Sequence, residues 1–154
     1  MDALAAILRT NSNIDFLNMQ DGEGNTVLMS ALICQNFEKA KLLLSTGNCD
    51  TNLVNDWGEN CAHIAALRDN LEMVQMLAPT TNILATTITS NTIMRYALAH
   101  TINWDLVRWL LTEYPDLPSN NTNKKGISIL DSLPNIDDKA KYINLVAEIR
   151  GETI

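Results

Sequence analysis

The 154-residue chain is 46% hydrophobic and 19% charged, enough apolar material for one continuous core in a domain of ordinary size. A formal charge of −7 excludes the basic footprint that nucleic acids and anionic membranes require, and no apolar run approaches the ~18 to 20 residues that span a bilayer. Three cysteines without framework spacing, and a start "MDALAAILRT" without a basic n-region and cleavage site, point to a reduced, intracellular chain.

In chain order, the first apolar stretch, "ALAAILR", reads as the second helix of an incomplete opening unit, residues 1–20. A turn and short Ala-containing segment then run from Asp21-Gly22-Glu23-Gly24 to Leu32. The same pattern returns from Asn55-Asp56-Trp57-Gly58 to Ala66, offset by 34 residues. Each is followed by apolar positions at helical spacing: Phe37, Ala40, Leu42, Leu43 and Leu44 in the first copy, and Leu71, Met73, Val74, Met76 and Leu77 in the second. Turn, short helix, loop and longer helix thus define units at 21–54 and 55–87.

The Thr- and Asn-rich passage from Pro79 to Asn91 reads as a long return loop and turn, because the helical pattern resumes after it. A third unit, 88–122, carries Thr92, Met94 and Ala97 in its first helix and Val107, Trp109, Leu110 and Leu111 in its second. Ser90 stands where the other turns have glycine, and its inter-helix loop is one residue longer. A degenerate unit and C-terminal cap, 123–154, begins at Asn123-x-x-Gly126 and Leu130. Pro134 stops its first helix, and a final helix starts at Asp137 and Asp138 with Ile143, Val146, Ala147 and Arg150 on one face.

The two clear copies resemble the ankyrin repeat, whose pattern is a D-x-x-G-x-T-P-L-H-x-A-A turn and first helix, then a second helix of the form G-H-x-x-h-V-x-x-L-L. The resemblance implies an all-α solenoid of stacked helix-turn-helix units with hairpin-like turns. The physics agrees, since one such unit cannot bury its own apolar face and needs neighbours.

Candidate chemistry is thin against that frame. Cys61-x-His63 offers two metal ligands where a closed zinc site needs about four, and no second pair exists. The resemblance instead makes His63 a structural histidine that bonds within and between turns, with Asn60 and Cys61 in place of the family's Thr and Pro. Asn60 remains suited to capping the helix. His100 lacks a nucleophile motif and an orienting acid, and Cys34 and Cys49 read as small semi-buried or groove-lining residues. Gly22 and Gly24 serve the turn rather than a phosphate loop. Nothing implies catalysis, a metal or a cofactor. Trp104 and Trp109 read as core, whereas Trp57 sits in a turn, where a large ring either meets a partner or folds back on the next turn.

The resemblance implies protein binding through the turn tips and the outward positions of the first helices, lining a concave face. Carried over by position, the tips are Glu23 and Asn25, then Asp56, Trp57 and Glu59, then Asn91, then Lys124 and Lys125. The helix positions are Ile33 with Cys34, Leu67 with Arg68, and Ala99 with His100. Ile33, Cys34 and Leu67 would form an apolar strip in one groove; a frame shifted by one residue would make them core.

The expected function is a non-catalytic protein-interaction module, a monomer on its own, that recruits or inhibits a protein partner bearing a basic patch. A narrower form is a short IκB-like inhibitor masking the basic surface of a Rel/NF-κB-type transcription factor. The rival from another class is the substrate-recruiting arm of a larger enzyme or signalling protein.

Overall fold

The computed structural model describes residues 14–154, so the predicted opening helix "ALAAILR" lies outside the described residues. A 3₁₀ turn at Ile14–Asn18 leads into α1 (Val27–Ile33), α2 (Phe37–Ser45), α3 (Cys61–Leu67), α4 (Leu71–Leu77), α5 (Ile93–Ala97), α6 (Trp104–Glu113), α7 (Ile129–Ser132) and α8 (Ile136–Arg150). Among the described residues the rest is turns and loops, with one isolated antiparallel bridge between Thr122 and Ser128.

Polar side chains set where the helices begin. Asn60 Oδ1 accepts the N–H groups of Ala62 and His63, and Asn36, Asn70 and Asn103 do the same at the starts of α2, α4 and α6. Thr26, Ser128 and Asn135 cap α1, α7 and α8, whereas Thr92 makes no side-chain cap bond at α5. The caps of paired helices are ten residues apart in the first two units and eleven in the third, from Thr92 to Asn103. That is the extra loop residue read from the sequence.

Helices α1 and α3 end in the same way. Gln35 at φ 56° and Asp69 at φ 54° reverse the chain in the left-handed region, and the next N–H reaches back to Ala31 and Ala65 respectively. The following helix therefore folds back against the one just completed.

The first helices stack on one another as α1–α3–α5–α7, and each second helix packs on its own first helix up to α6, which packs against α8. Small residues permit this: Ala62, Ala65 and Ala66 of α3 are all essentially solvent-free between α1 and α5. Larger side chains, Leu28, Met29, Leu32, Leu43, Met73, Leu77, Met94, Leu106 and Leu110, fill the space between layers. Each such burial stabilises the fold by about 2 kcal/mol.

Two predicted faces shift. Met76 is exposed and Leu42 only half-buried, because they fall at the margin of stripes centred on Met73, Val74 and Leu77 and on Ala40 and Leu43. In α8 the buried residues are Tyr142, Leu145 and Val146, while Ala147 is exposed. Two polar anchors turn that helix: Tyr142 Oη donates to Ser119 O at 2.6 Å, and Arg150 donates to the carbonyls of Leu111, Tyr114 and Leu117. Trp104 and Trp109 are partly buried, as befits core-margin residues. Lys141 Nζ lies 4.4 Å from the Trp104 ring centre, and Trp109 meets Tyr114 edge to face.

Candidate functional site

Four turns line up along one edge of the stack, opening at Asp21, Asn55, Thr87 and Asn123. In each, the opening residue's N–H donates to the carbonyl four residues on, and its own carbonyl accepts from the residue three on. The opening side chain closes the turn from within. Asn55 Oδ1 accepts the N–H groups of Trp57 and Glu59, and Asp21 and Asn123 repeat that pair of bonds. Thr87, with a single hydroxyl, makes one, from Asn91 N–H.

The fourth position of every turn is left-handed: Gly24 at φ 76°, Gly58 at 77°, Ser90 at 61° and Gly126 at 75°. At Gly58 space is limiting too, since a Cβ would stand 2.8 Å from Ile88 N and 3.1 Å from Ile88 Cγ2.

Neighbouring turns are joined by one repeated backbone bond. Asp56 N–H donates to Glu23 O, Ile88 N–H to Trp57 O, and Lys124 N–H to Thr89 O, at 2.9 to 3.1 Å. The tips thus form a ladder whose outermost pairs are Gly22–Glu23, Asp56–Trp57, Ile88–Thr89 and Lys124–Lys125. Glu23, Asp56, Lys124 and Lys125 are exposed, and Trp57 is 49% exposed beside Ile88 at 56%.

Several predicted contact residues also hold the scaffold together. Asn25 is a correction: it is buried at 4% exposure, and its Oδ1 accepts from Asn55 Nδ2 of the next turn. Glu59 is half-buried, its carboxylate accepting from Asn55 Nδ2 and from Tyr96 Oη at 2.6 Å. Asn91 accepts from Asn123 Nδ2 while donating to Thr89. These side chains knit one turn to the next.

On the first helices, Ile33, Cys34, Ala99 and His100 are exposed, and Leu67 and Arg68 are half-buried; none is core. Leu67 lines a pocket of about 240 Å³ with Asn91, Arg95, Tyr96 and Ala99. Cys34 lines a separate depression with Val27, Ser30, Ala31 and Lys39.

The grouping that looks most chemical, Glu59, His63 and Tyr96, is a fastener. His63 Nδ1 lies 3.3 Å from Asn60 N, closing a capping box, and 2.7 Å from Asn60 Oδ1, while its Nε2 lies 3.1 Å from Ala85 O. Burial pushes the imidazole pKa down to about 4, despite the Ala85 carbonyl pulling it the other way, so it is neutral at pH 7. Tyr96 packs edge-on to His63 at 5.2 Å; desolvation and its bond to Glu59 hold the phenol well above its usual pKa. Burial likewise raises the Cys61 thiol to about 12, far from reactive. Among the described residues no group of three or more His, Cys, Asp or Glu is placed to hold a metal, and no helix is long and apolar enough to cross a membrane.

A family model described as ankyrin repeats, three copies, matches residues 41–123, more than half of the chain. The chain belongs to the ankyrin repeat family. Ankyrin repeats are in general protein–protein interaction modules and typically non-catalytic. No curated protein matches the chain. In this ankyrin stack the sequence reading singled out Trp57 but passed over Ile88, its neighbour across the ladder. The signal was present, as Ile88 aligns with the tip residue Asp56 when the turns are superposed. Tyr96 and Arg95, which line the Leu67 pocket, were also passed over, because they sit inside a helix rather than in a turn.

Proposed function

We propose that this ankyrin domain is a non-catalytic interaction module that holds a protein partner on the face formed by its turn tips and the outer ends of its first helices. The observation that carries the reading is Trp57: a large ring left half exposed at a tip, its carbonyl bonded to Ile88 N–H, on an edge that also exposes Asp56 and Glu23. Exposed aromatic residues with apolar neighbours supply a disproportionate share of interface energy, and acidic surroundings favour an approaching basic patch. The Leu67 pocket, with Asn91, Arg95, Tyr96 and Ala99, offers a second apolar foothold on the helix side. Glu23, Ile33, Arg68, His100, Lys124 and Lys125 border this face, and recruitment or inhibition follows from occupancy alone. The unit boundaries 21–54, 55–87, 88–122 and 123–154 suit this reading, since each contributes one tip.

The test is quantitative affinity capture from a relevant lysate with the purified chain and with Trp57→Ala. A binding anchor worth ~2 kcal/mol should lower recovery of specific partners about thirtyfold, with the thermal unfolding midpoint little changed. Equal recovery of the same proteins by a folded Trp57→Ala variant would remove Trp57 from the site.

A further inference from the structure

The tip ladder has a charge order with a consequence of its own. From first tip to fourth the outermost pairs read Gly22–Glu23, Asp56–Trp57, Ile88–Thr89, Lys124–Lys125: acidic, acidic and aromatic, apolar, doubly basic. The three inter-turn bonds, Asp56 to Glu23, Ile88 to Trp57 and Lys124 to Thr89, use the same pair of positions each time, so the four tips keep one register along the edge. The midpoint of the row is the bond from Ile88 N–H to Trp57 O, and the two most exposed apolar side chains of the ladder flank it.

A surface of this kind is complementary to itself when turned through half a revolution. With a two-fold axis at the Trp57–Ile88 junction, the first tip of one copy faces the fourth tip of the other, and the second faces the third. Glu23 then meets Lys124 and Lys125, twice over, while Trp57 meets Ile88 at the centre. A two-fold interface requires that residue i contact j while j contacts i, and this row meets the requirement in both charge and apolarity. A parallel arrangement would oppose like charges at both ends.

We infer that the occupant of the tip edge at high concentration is a second copy of this chain, bound antiparallel about the Trp57–Ile88 junction and held at each end by Glu23 of one copy against Lys124 and Lys125 of the other, with Asp56 adding negative charge on the same side of the axis as Glu23. The contact draws on four two-residue tips from each copy, well short of the ~20 to 30 residues a side of a standard interface. The pair is therefore weak, with a dissociation constant on the order of 0.1 mM, and weakened by salt because its end contacts are exposed. The monomer expected from the sequence is the species at low concentration. Pairing covers Trp57, so self-association competes with any partner that uses that ring. The inference stands apart from the identity of that partner.

The experiment uses the purified chain in sedimentation equilibrium from ~10 µM to ~1 mM, at low and at ~0.5 M salt. Two charge-reversed forms accompany it: Glu23→Lys with Asp56→Lys, whose tips carry only positive charge, and Lys124→Glu with Lys125→Glu, whose tips carry only negative charge. Each form alone should associate at least tenfold more weakly than the parent, since both ends of its own dimer now repel. An equimolar mixture should regain association at least as strong as the parent's, because both ends become complementary in the mixed pair. Circular dichroism confirms that each variant folds. A parent that stays monomeric at 1 mM in low salt overturns the pairing, as does association that persists in each reversed form or a mixture of folded variants that stays monomeric. None of these outcomes touches the partner reading, which rests on capture from lysate.

Discussion

The unit opening at Asn55 and the one opening at Thr87 reach the same architecture with different parts. In the first, Gly58 takes the left-handed corner, Asn60 caps the first helix and His63 reaches the Ala85 carbonyl with one neutral bond. In the second, Ser90 takes the corner, Thr92 caps without a side-chain bond, and Arg95 stands where His63 stood. Arg95 reaches Asn121, Ile127 and Ser128 carbonyls at 2.8 to 3.2 Å, from a site where it is only 9% exposed. Burial pulls its pKa below the usual guanidinium value, with Asp131 nearby opposing that shift. In these two units the residue three after the cap supplies a donor long enough to reach the next turn, whereas the first unit has the buried Met29 there. Whether that donor is a neutral ring or a charged fork is left open.

The comparison breaks first at the corner residue. Gly58→Ala should cost about 3 to 4 kcal/mol in urea unfolding, combining left-handed strain with a Cβ that meets the Ile88 backbone, whereas Ser90→Ala should be near neutral. Similar losses for the two would mean that the close approach at Gly58 is not limiting. Next in size, Arg95→Met should lose about 3 kcal/mol by leaving three carbonyls without their donor, and Arg95→Lys should recover part of it.

A smaller difference shows only against pH. The His63 pKa is about 4 folded against an ordinary value of 6.5, so the unfolded chain binds the extra proton between them. Stability from the buried neutral ring is complete above pH 6.5 and is lost as pH falls toward 4, by on the order of 3 kcal/mol. His63→Gln should flatten that part of the profile, while Arg95→Lys should leave its slope unchanged. A parent profile that is flat between pH 6.5 and 4 would place the ring in contact with water. The smallest effect is a gain: Ser90→Gly should stabilise by about 0.5 to 1 kcal/mol, by relieving the left-handed strain that serine bears at φ 61°.

Much of this was written in local chemistry. The turn openings Asp21, Asn55 and Asn123, the cap Asn60 and the longer loop after α5 act within a few residues, so a pattern of near neighbours discloses them, while the role of His63 comes from the ankyrin resemblance. Contacts between units were not legible in that way. Asn25 reads as a tip residue by its place in the ankyrin pattern; the partner that buries it, Asn55, is 30 positions away. The partners of Arg95 are equally remote, 26 to 33 positions along the chain. The face of α8 was misjudged by one position because distant anchors, Ser119 for Tyr142 and Leu111, Tyr114 and Leu117 for Arg150, orient it more firmly than its weak apolar stripe does. Ile88 required knowing which tips abut, which a single turn does not contain.

The three thiols also divide the molecule into clocks of different rate. Cys34 is exposed, Cys49 half-buried, and Cys61, at the first position of α3, fully enclosed with its pKa raised to about 12. An alkylating reagent added in excess labels Cys34 at once, but it reaches Cys61 only in the instants when α3 lifts away from its neighbours. Where opening and closing outpace labelling, the ratio of the two labelling rates approximates the equilibrium constant for the openings that expose Cys61. A wild-type cysteine thereby reports, without any introduced probe, how strongly one repeat leans on the next.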